Sequence, residues 1–305
     1  MDQNDYLELS EDGKTVISCR KDYEGSIIIP DGVTEIKANA FVGCRGITSI
    51  KIPIGVNKIG DFAFSCCESL TSIEIPNSVT EIEESAFCCC TELTSVLIPS
   101  SVTEIRDNTF DGCSSLTSIK IPNRVSYIGE CAFYDCTSLT SVEIYGRDIG
   151  IGCGAFANCT SLNSIVINSN EIRIGEAAFE DCTSLISLVI PESVTSIEKR
   201  AFSRCTGLTS VEIKSSDTSI SWDAFCFCNN LATIIVEGEK KNKDYFESFA
   251  PNYFDDNYAY DDSCCKSDRT YNEHAGSYAQ DVEGWSDQDI DDALDGDPDA
   301  YWNID

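Results

Sequence analysis

The sequence predicts an α/β-type repeat solenoid, a stack of like units that each add one strand to a parallel β-sheet on a concave face, with short strands and helical turns elsewhere. Three observations predict it. The chain superimposes on itself with a period of 23 residues and no insertion or deletion. A Leu or Ile opens each unit, at Ile47, Leu70, Leu93, Leu116, Leu139, Leu162, Leu185, Leu208 and Leu231. The third is a Phe followed three residues later by a Cys. It begins at Phe41–Cys44 in a partial unit and recurs as Phe64–Cys67, Phe87–Cys90, Phe110–Cys113, Phe133–Cys136, Phe156–Cys159, Phe179–Cys182, Phe202–Cys205 and Phe225–Cys228.

One unit shows what each element does. In the segment from Leu70 to Pro76, Ile73 and Ile75 alternate with polar residues, the period of two that a strand requires. Pro76 closes the strand, because it has no N–H to give a ladder. Asn77 and Ser78 turn the chain, and Val79 and Ile82 send apolar groups back inward. Ala86, Phe87 and Cys90 then form a short helical or turn-like return to the next Leu. No unit can bury its apolar side alone, so neighbours must supply the core. Strands stacked at about 4.8 Å would make some ten rungs a rod on the order of 50 Å long.

The pattern L-x-x-I-x-I-P, then V-x-x-I and A-F-x-x-C, resembles the BspA-type leucine-rich repeat. Before it, Leu7 to Ile17 reads as a capping hairpin turned at Asp12-Gly13. That hairpin leads into Ile27-Ile28-Ile29-Pro30 and Val33 to Ile36, the opening of the same pattern. The resemblance spans about residues 6–238. It implies a leucine-rich-repeat solenoid, a protein-binding role and, for many members, a place at a cell surface. The organisation expected is a capping hairpin over 1–25, the solenoid over 26–236, a C-terminal cap over 237–262 and an acidic tail with a short helix over 263–305.

On such a solenoid the solvent-facing strand positions are the third and fifth of each unit. The third is nearly always Ser; the fifth varies, as Lys51, Glu74, Leu97, Lys120, Glu143, Val166, Val189 and Glu212. A small residue beside a variable one suits a recognition face, and these eight are the expected partner-binding residues. The plainer account is that exposed sheets tolerate such residues. Units opening at Leu139, Leu162 and Leu208 lack the strand-ending Pro, carry Asp148, Glu171 and Asp217 in place of the inward Val, and in the first two restore alternation one residue later through Ile149 with Ile151 and Ile172 with Ile174.

The 18 cysteines need not be disulfides. Equivalent residues in successive rungs lie about 5 Å apart, within reach of a bond, but their Cβ vectors run parallel. A small buried hydrophobe is the reading favoured for the ladder. Cys66, Cys88, Cys89 and Cys226 form no pair of C-x-x-C motifs, so no metal is expected.

The formal net charge of −31 argues against nucleic acid, whose phosphates must be neutralised by Lys and Arg. No apolar run approaches membrane-spanning length, so membrane insertion is not expected. The only histidine, His274, lies beyond the repeats; no Ser–His or Cys–His pair forms there, no phosphate-binding Gly loop is present, and neither enzyme activity nor a cofactor is expected.

From Glu237 to Asp305 there are 20 acidic and 5 basic residues and no repeat. Aromatics between Lys240 and Asp262 suit a cap over the last rung. Further on, Ile290 and Leu294 share one helical face ahead of Tyr301 and Trp302. These four either dock a second protein or belong to a solubilising tail. Two functions remain: an adhesin-like or scaffold module gripping a protein partner by its strand face, or an intracellular tether whose tail docks a second protein. The acidic N-terminus does not read as a secretory signal, which places the chain in the cytoplasm, whereas the resemblance implies the cell surface. The oligomeric state is left open.

Overall fold

A computed structural model describes residues 6–241. The strands at the head of each unit are Gly25–Ile28, Ile47–Lys51, Ser72–Glu74, Ser95–Val96, Ser118–Ile121, Ser141–Ile144, Ser164–Ile167, Ser187–Ile190, Ser210–Ile213 and Thr233–Val236. Neighbours pair in parallel, one period apart, so that Ser118 meets Ser141 and then Ser164. The ladder is interrupted twice, after Ser95–Val96 and after Ser164–Ile167, which leaves sheets of four, three and four strands. The fourth strand of the last sheet is Glu239–Lys241, folded back antiparallel on Thr233–Val236. Its two-residue turn, Glu237-Gly238, has φ of 48° and 81°, the double positive pair of a tight hairpin.

A second ladder runs through each unit's other strand, in a five-stranded sheet from Leu7–Leu9 to Glu81–Ile82 and a six-stranded one from Glu104–Ile105 to Ser219–Ile220. The N-terminal hairpin, Leu7–Leu9 with Thr15–Cys19, joins this ladder, placing Val16 beside Ile36. Gly13, with φ 70°, turns it.

Between the two ladders lies a continuous core. The opening residues from Ile47 to Leu208 are all 0–1% exposed, as are the Phe residues from Phe41 to Phe202. Successive rings stack: Phe87 and Phe110 have centroids 5.3 Å apart and planes within 4°. Each ring therefore packs mainly on copies of itself above and below, which is why one unit could not hold this core alone.

The helical return does not form, and the α/β description needs correction: among the described residues there is no helix, and every return is a run of turns. Every return but the last has two left-handed residues, such as Ser85 (φ 53°) and Cys89 (φ 57°), with equivalents at Asn108 and Gly112 and at Ala177 and Asp181. A left-handed residue every fourth position breaks a right-handed helix. The amides then alternate in direction. Those of Ser85, Phe87 and Cys89 donate to Asp107, Thr109 and Asp111 of the next rung, whereas those of Cys88 and Cys90 donate three residues back, to Ser85 and Phe87. Three of these five amides thus hold rungs together.

The units without Pro keep an inward residue by moving it one place along. Val125 is followed in that role by Ile149 and Ile172, then by Val194, then by Thr218, all at most 9% exposed, while Asp148, Glu171 and Asp217 turn to solvent. The second strand lengthens accordingly, to Asp148–Ile151 and Glu171–Ile174. The return to Val194 takes a bulge, with Ile172 opposite Val194 but Arg173 opposite Ser196.

Candidate functional site: the outer face of the first ladder

Inward Ile residues at the fourth and sixth positions force the third and fifth outward, because side chains alternate across a strand. The eight fifth-position residues form one file. Lys51 pairs with Glu74, Lys120 with Glu143 and Glu143 with Val166, and Val189 with Glu212. Leu97 falls immediately past the strand Ser95–Val96. Leu97, Val166 and Val189 are 71%, 41% and 50% exposed, a large open fraction for aliphatic side chains in a sheet.

These aliphatic residues flank the interruptions. Leu97 is at the first, and Val166 and Val189 stand on either side of the second. There Ile165 and Ile167, inward in the pattern, pack against the core but are only half-buried. Sequence reasoning missed two members of this surface. Ile28, 63% exposed, holds the fifth position of the partial first unit, as its place one rung before Lys51 could have signalled. Ile186, also 63% exposed, stands at the second position, where most units carry Thr.

Small hydroxyl residues surround the file, and the threonines among them bond to the rung before. Thr71 Oγ1 donates to the Thr48 carbonyl at 3.2 Å, Thr94 to Thr71 at 3.1 Å and Thr140 to Thr117 at 2.9 Å. Ser49 and Ser26 bond hydroxyl to hydroxyl at 2.8 Å. The projecting groups are therefore the fifth-position side chains. Lys120 Nζ lies 4.0 Å from Glu143 Oε2 and 4.6 Å from the centre of the Tyr145 ring. The Tyr145 hydroxyl donates to the same carboxylate at 2.9 Å, and that bond raises the phenol pKa. Glu212 is held by Lys214. At contact distance this face offers aliphatic groups and a few paired charges.

The cysteine ladder lies in the core. Cys44 and each ladder residue from Cys67 to Cys205 is a buried free thiol. Burial pushes the thiols of Cys90, Cys113, Cys136 and Cys159 well above 9.0. Cys66, Cys88 and Cys89 cluster beside it, with Cys88 and Cys89 sulfurs 3.5 Å apart. A hydrogen bond from Cys66 draws Cys89 down, but Cys88 and burial push it up to about 12. Among the described residues no group of three or more His, Cys, Asp or Glu side chains is placed to hold a metal ion, and no helix is long and apolar enough to cross a membrane. His274, the tail residues Ile290, Leu294, Tyr301 and Trp302, and most of the 237–262 segment lie outside the described residues.

A profile of the BspA type leucine rich repeat region matches the chain in six copies, over residues 21–140 and 126–250. No curated protein sequence matches. Among solved structures, a leucine rich repeat protein of T. pallidum is 30% identical, covering 59% of this chain and 88% of its own, with a TM-score of 0.54. A leucine rich cell surface protein of Faecalibacterium prausnitzii is 25% identical over 76% of this chain and 93% of its own, with a TM-score of 0.32. The pneumococcal vaccine antigen PcpA is 21% identical over 75% and 76%, with a TM-score of 0.35. Leucine-rich repeats of this type are commonly protein-binding or surface proteins, and their solenoids are typically binding modules rather than enzymes. The profile spans well over half the residues and follows the same repeat that builds both ladders: the chain belongs to the BspA-type leucine-rich repeat family.

Proposed function

We propose that this chain is a protein-binding module, adhesin-like or scaffold, that grips a partner with the outer face of its first ladder. The observation that carries the reading is the exposure of Leu97, Val166 and Val189 in a file of otherwise charged residues. Apolar side chains left open among small neighbours are what an interface core requires, with Lys51, Glu74, Lys120, Glu143 and Glu212 as its polar rim. No catalytic pair or cofactor enters this reading.

The test places a photo-cross-linking residue at Leu97 and, separately, at Arg147 on the second turn, away from the strand face. Partner adducts should form at 97 and not at 147. Replacing Leu97, Val166 and Val189 with Lys should abolish capture while circular dichroism stays unchanged. Equal capture by that variant would refute the strand face.

A second reading is favoured by the buried free thiols of the ladder, which suit a reducing compartment. In it the solenoid is an intracellular tether whose tail, through Ile290, Leu294, Tyr301 and Trp302, docks a second protein. Protease treatment of intact cells separates the two: loss of the chain supports a surface adhesin, and protection until lysis supports the tether. Deleting residues 301–305 should then release only the second partner.

A further inference from the structure

The fifth-position file reads nearly the same from either end once Lys is matched with Glu and aliphatic with aliphatic, and the geometry points to a second copy of this chain as its occupant. The inference rests on the strand-face reading above and names the partner.

The midpoint of the file lies between the rungs of Lys120 and Glu143. A two-fold axis through it, parallel to the strands and lying in the interface, brings two faces together with the rung order reversed and the strand direction kept. Fifth positions then meet fifth positions, and Ser meets Ser. Lys120 faces the second copy's Glu143, and by symmetry Glu143 faces its Lys120. One rung out, Leu97, 71% exposed, faces Val166, 41% exposed. Further out, Lys51 faces Glu212. At the ends Ile28, 63% exposed, meets Ile235, half-buried in the strand Thr233–Val236. Only Glu74 opposite Val189 is unmatched. This is the reciprocity an isologous dimer needs, where a contact from one residue to another is made twice.

Charge and area agree. On a chain of net charge −31, this file sets two lysines against three glutamates, so two copies can approach along it with little net repulsion. Its Ser and Thr neighbours are small, which lets two sheets close to roughly 10 Å. Ten rungs about 4.8 Å apart and about 13 Å wide cover roughly 600 Å² per copy, or roughly 1,200 Å² in the pair, the lower end for a specific interface.

Sedimentation velocity of the full chain over a range of concentrations tests this. The wild type should pass from monomer to dimer. Lys51→Glu sets Glu against Glu212 twice and should weaken the dimer about ten-fold. Adding Glu212→Lys should return it to within about two-fold of the wild type. Lys51 and Glu212 stand seven rungs apart in one chain, so that rescue can arise only between copies. A wild type that stays monomeric, or a dimer indifferent to Lys51→Glu, overturns the inference. The strand-face reading outlives either result if the cross-linker at Leu97 still captures a different protein, and falls too if it captures nothing.

Discussion

The Cys113 thiol donates to the carbonyl oxygen of Phe87, one rung earlier, at 3.2 Å. That oxygen also accepts the amide of Cys90, at 3.3 Å, so both of its lone pairs are used. The arrangement recurs at Cys90 on Phe64, Cys136 on Phe110 and Cys182 on Phe156. A thiol fits this place because it fills volume like a small hydrophobe and still carries a weak donor. Cys113→Ala, which removes both, should cost about 1–2 kcal/mol in urea unfolding. An unchanged midpoint would show that the thiol does no more than occupy space.

The phenylalanine spine should be the costliest place to cut. Phe110 has rings on both sides, at 5.3 and 5.2 Å. Phe110→Ala is expected to lose about 3–5 kcal/mol, and Phe110→Leu about 1–2 kcal/mol, because Leu restores part of the volume without the stacking. Calorimetry of the two variants checks the order; a Leu as damaging as Ala would mean that ring geometry outweighs volume.

Gly112 tests the left-handed turn. Its φ is 68°, and a Cβ there would come within 3.4 Å of the Cys89 sulfur. Gly112→Ala should therefore cost about 1–2 kcal/mol. The reverse change at Cys89, with φ 57°, removes the Cβ from the same conformation and should be neutral or stabilising by up to about 1 kcal/mol, less what a freer unfolded chain takes back. A Gly112→Ala protein as stable as the wild type would contradict the assigned turn.

Raised thiol pKa values carry a pH signature. Burial raises Cys90, Cys113, Cys136 and Cys159 well above 9.0, so each keeps its proton in the fold and loses it on unfolding once the pH passes its ordinary value. The unfolded chain then binds fewer protons than the native one, and stability, intact below about pH 8.5, falls as pH rises. Each such thiol should add about 1.4 kcal/mol per pH unit to the slope. In denaturation series under reductant, Cys113→Ala should be shallower by one such increment; parallel slopes would place that thiol's folded pKa near its unfolded one.

The strands were legible because two periods coincide there. Ile73 and Ile75 alternate, and the same pair returns every 23 residues. The return was harder, since Ala86, Phe87 and Cys90 sit one and four residues apart, as on one face of a helix. What denies the helix is backbone sign, and Cys66, Cys89 and Arg204 do not advertise a left-handed conformation. Gly43, Gly112, Asp135, Asn158 and Asp181 at the same place in other units do, because Gly, Asn and Asp tolerate it best. The exposure of Leu97, Val166 and Val189 followed from their position in the repeat, whereas the two interruptions beside them fall between units and no single unit's pattern marks them.

The alternating amides of the return have a mechanical meaning. Most rungs are tied to the next by bonds in both ladders and in the return, those at the interruptions by fewer, and none of these bonds reaches a more distant rung. Tension applied along the stack would peel rungs singly from an end, each releasing 23 residues, about 80 Å of extended chain, in place of a few ångströms of stack. Stretched between two anchors, such a rod gives way in a staircase of small yields, spending work at every step while the remaining rungs keep their shape.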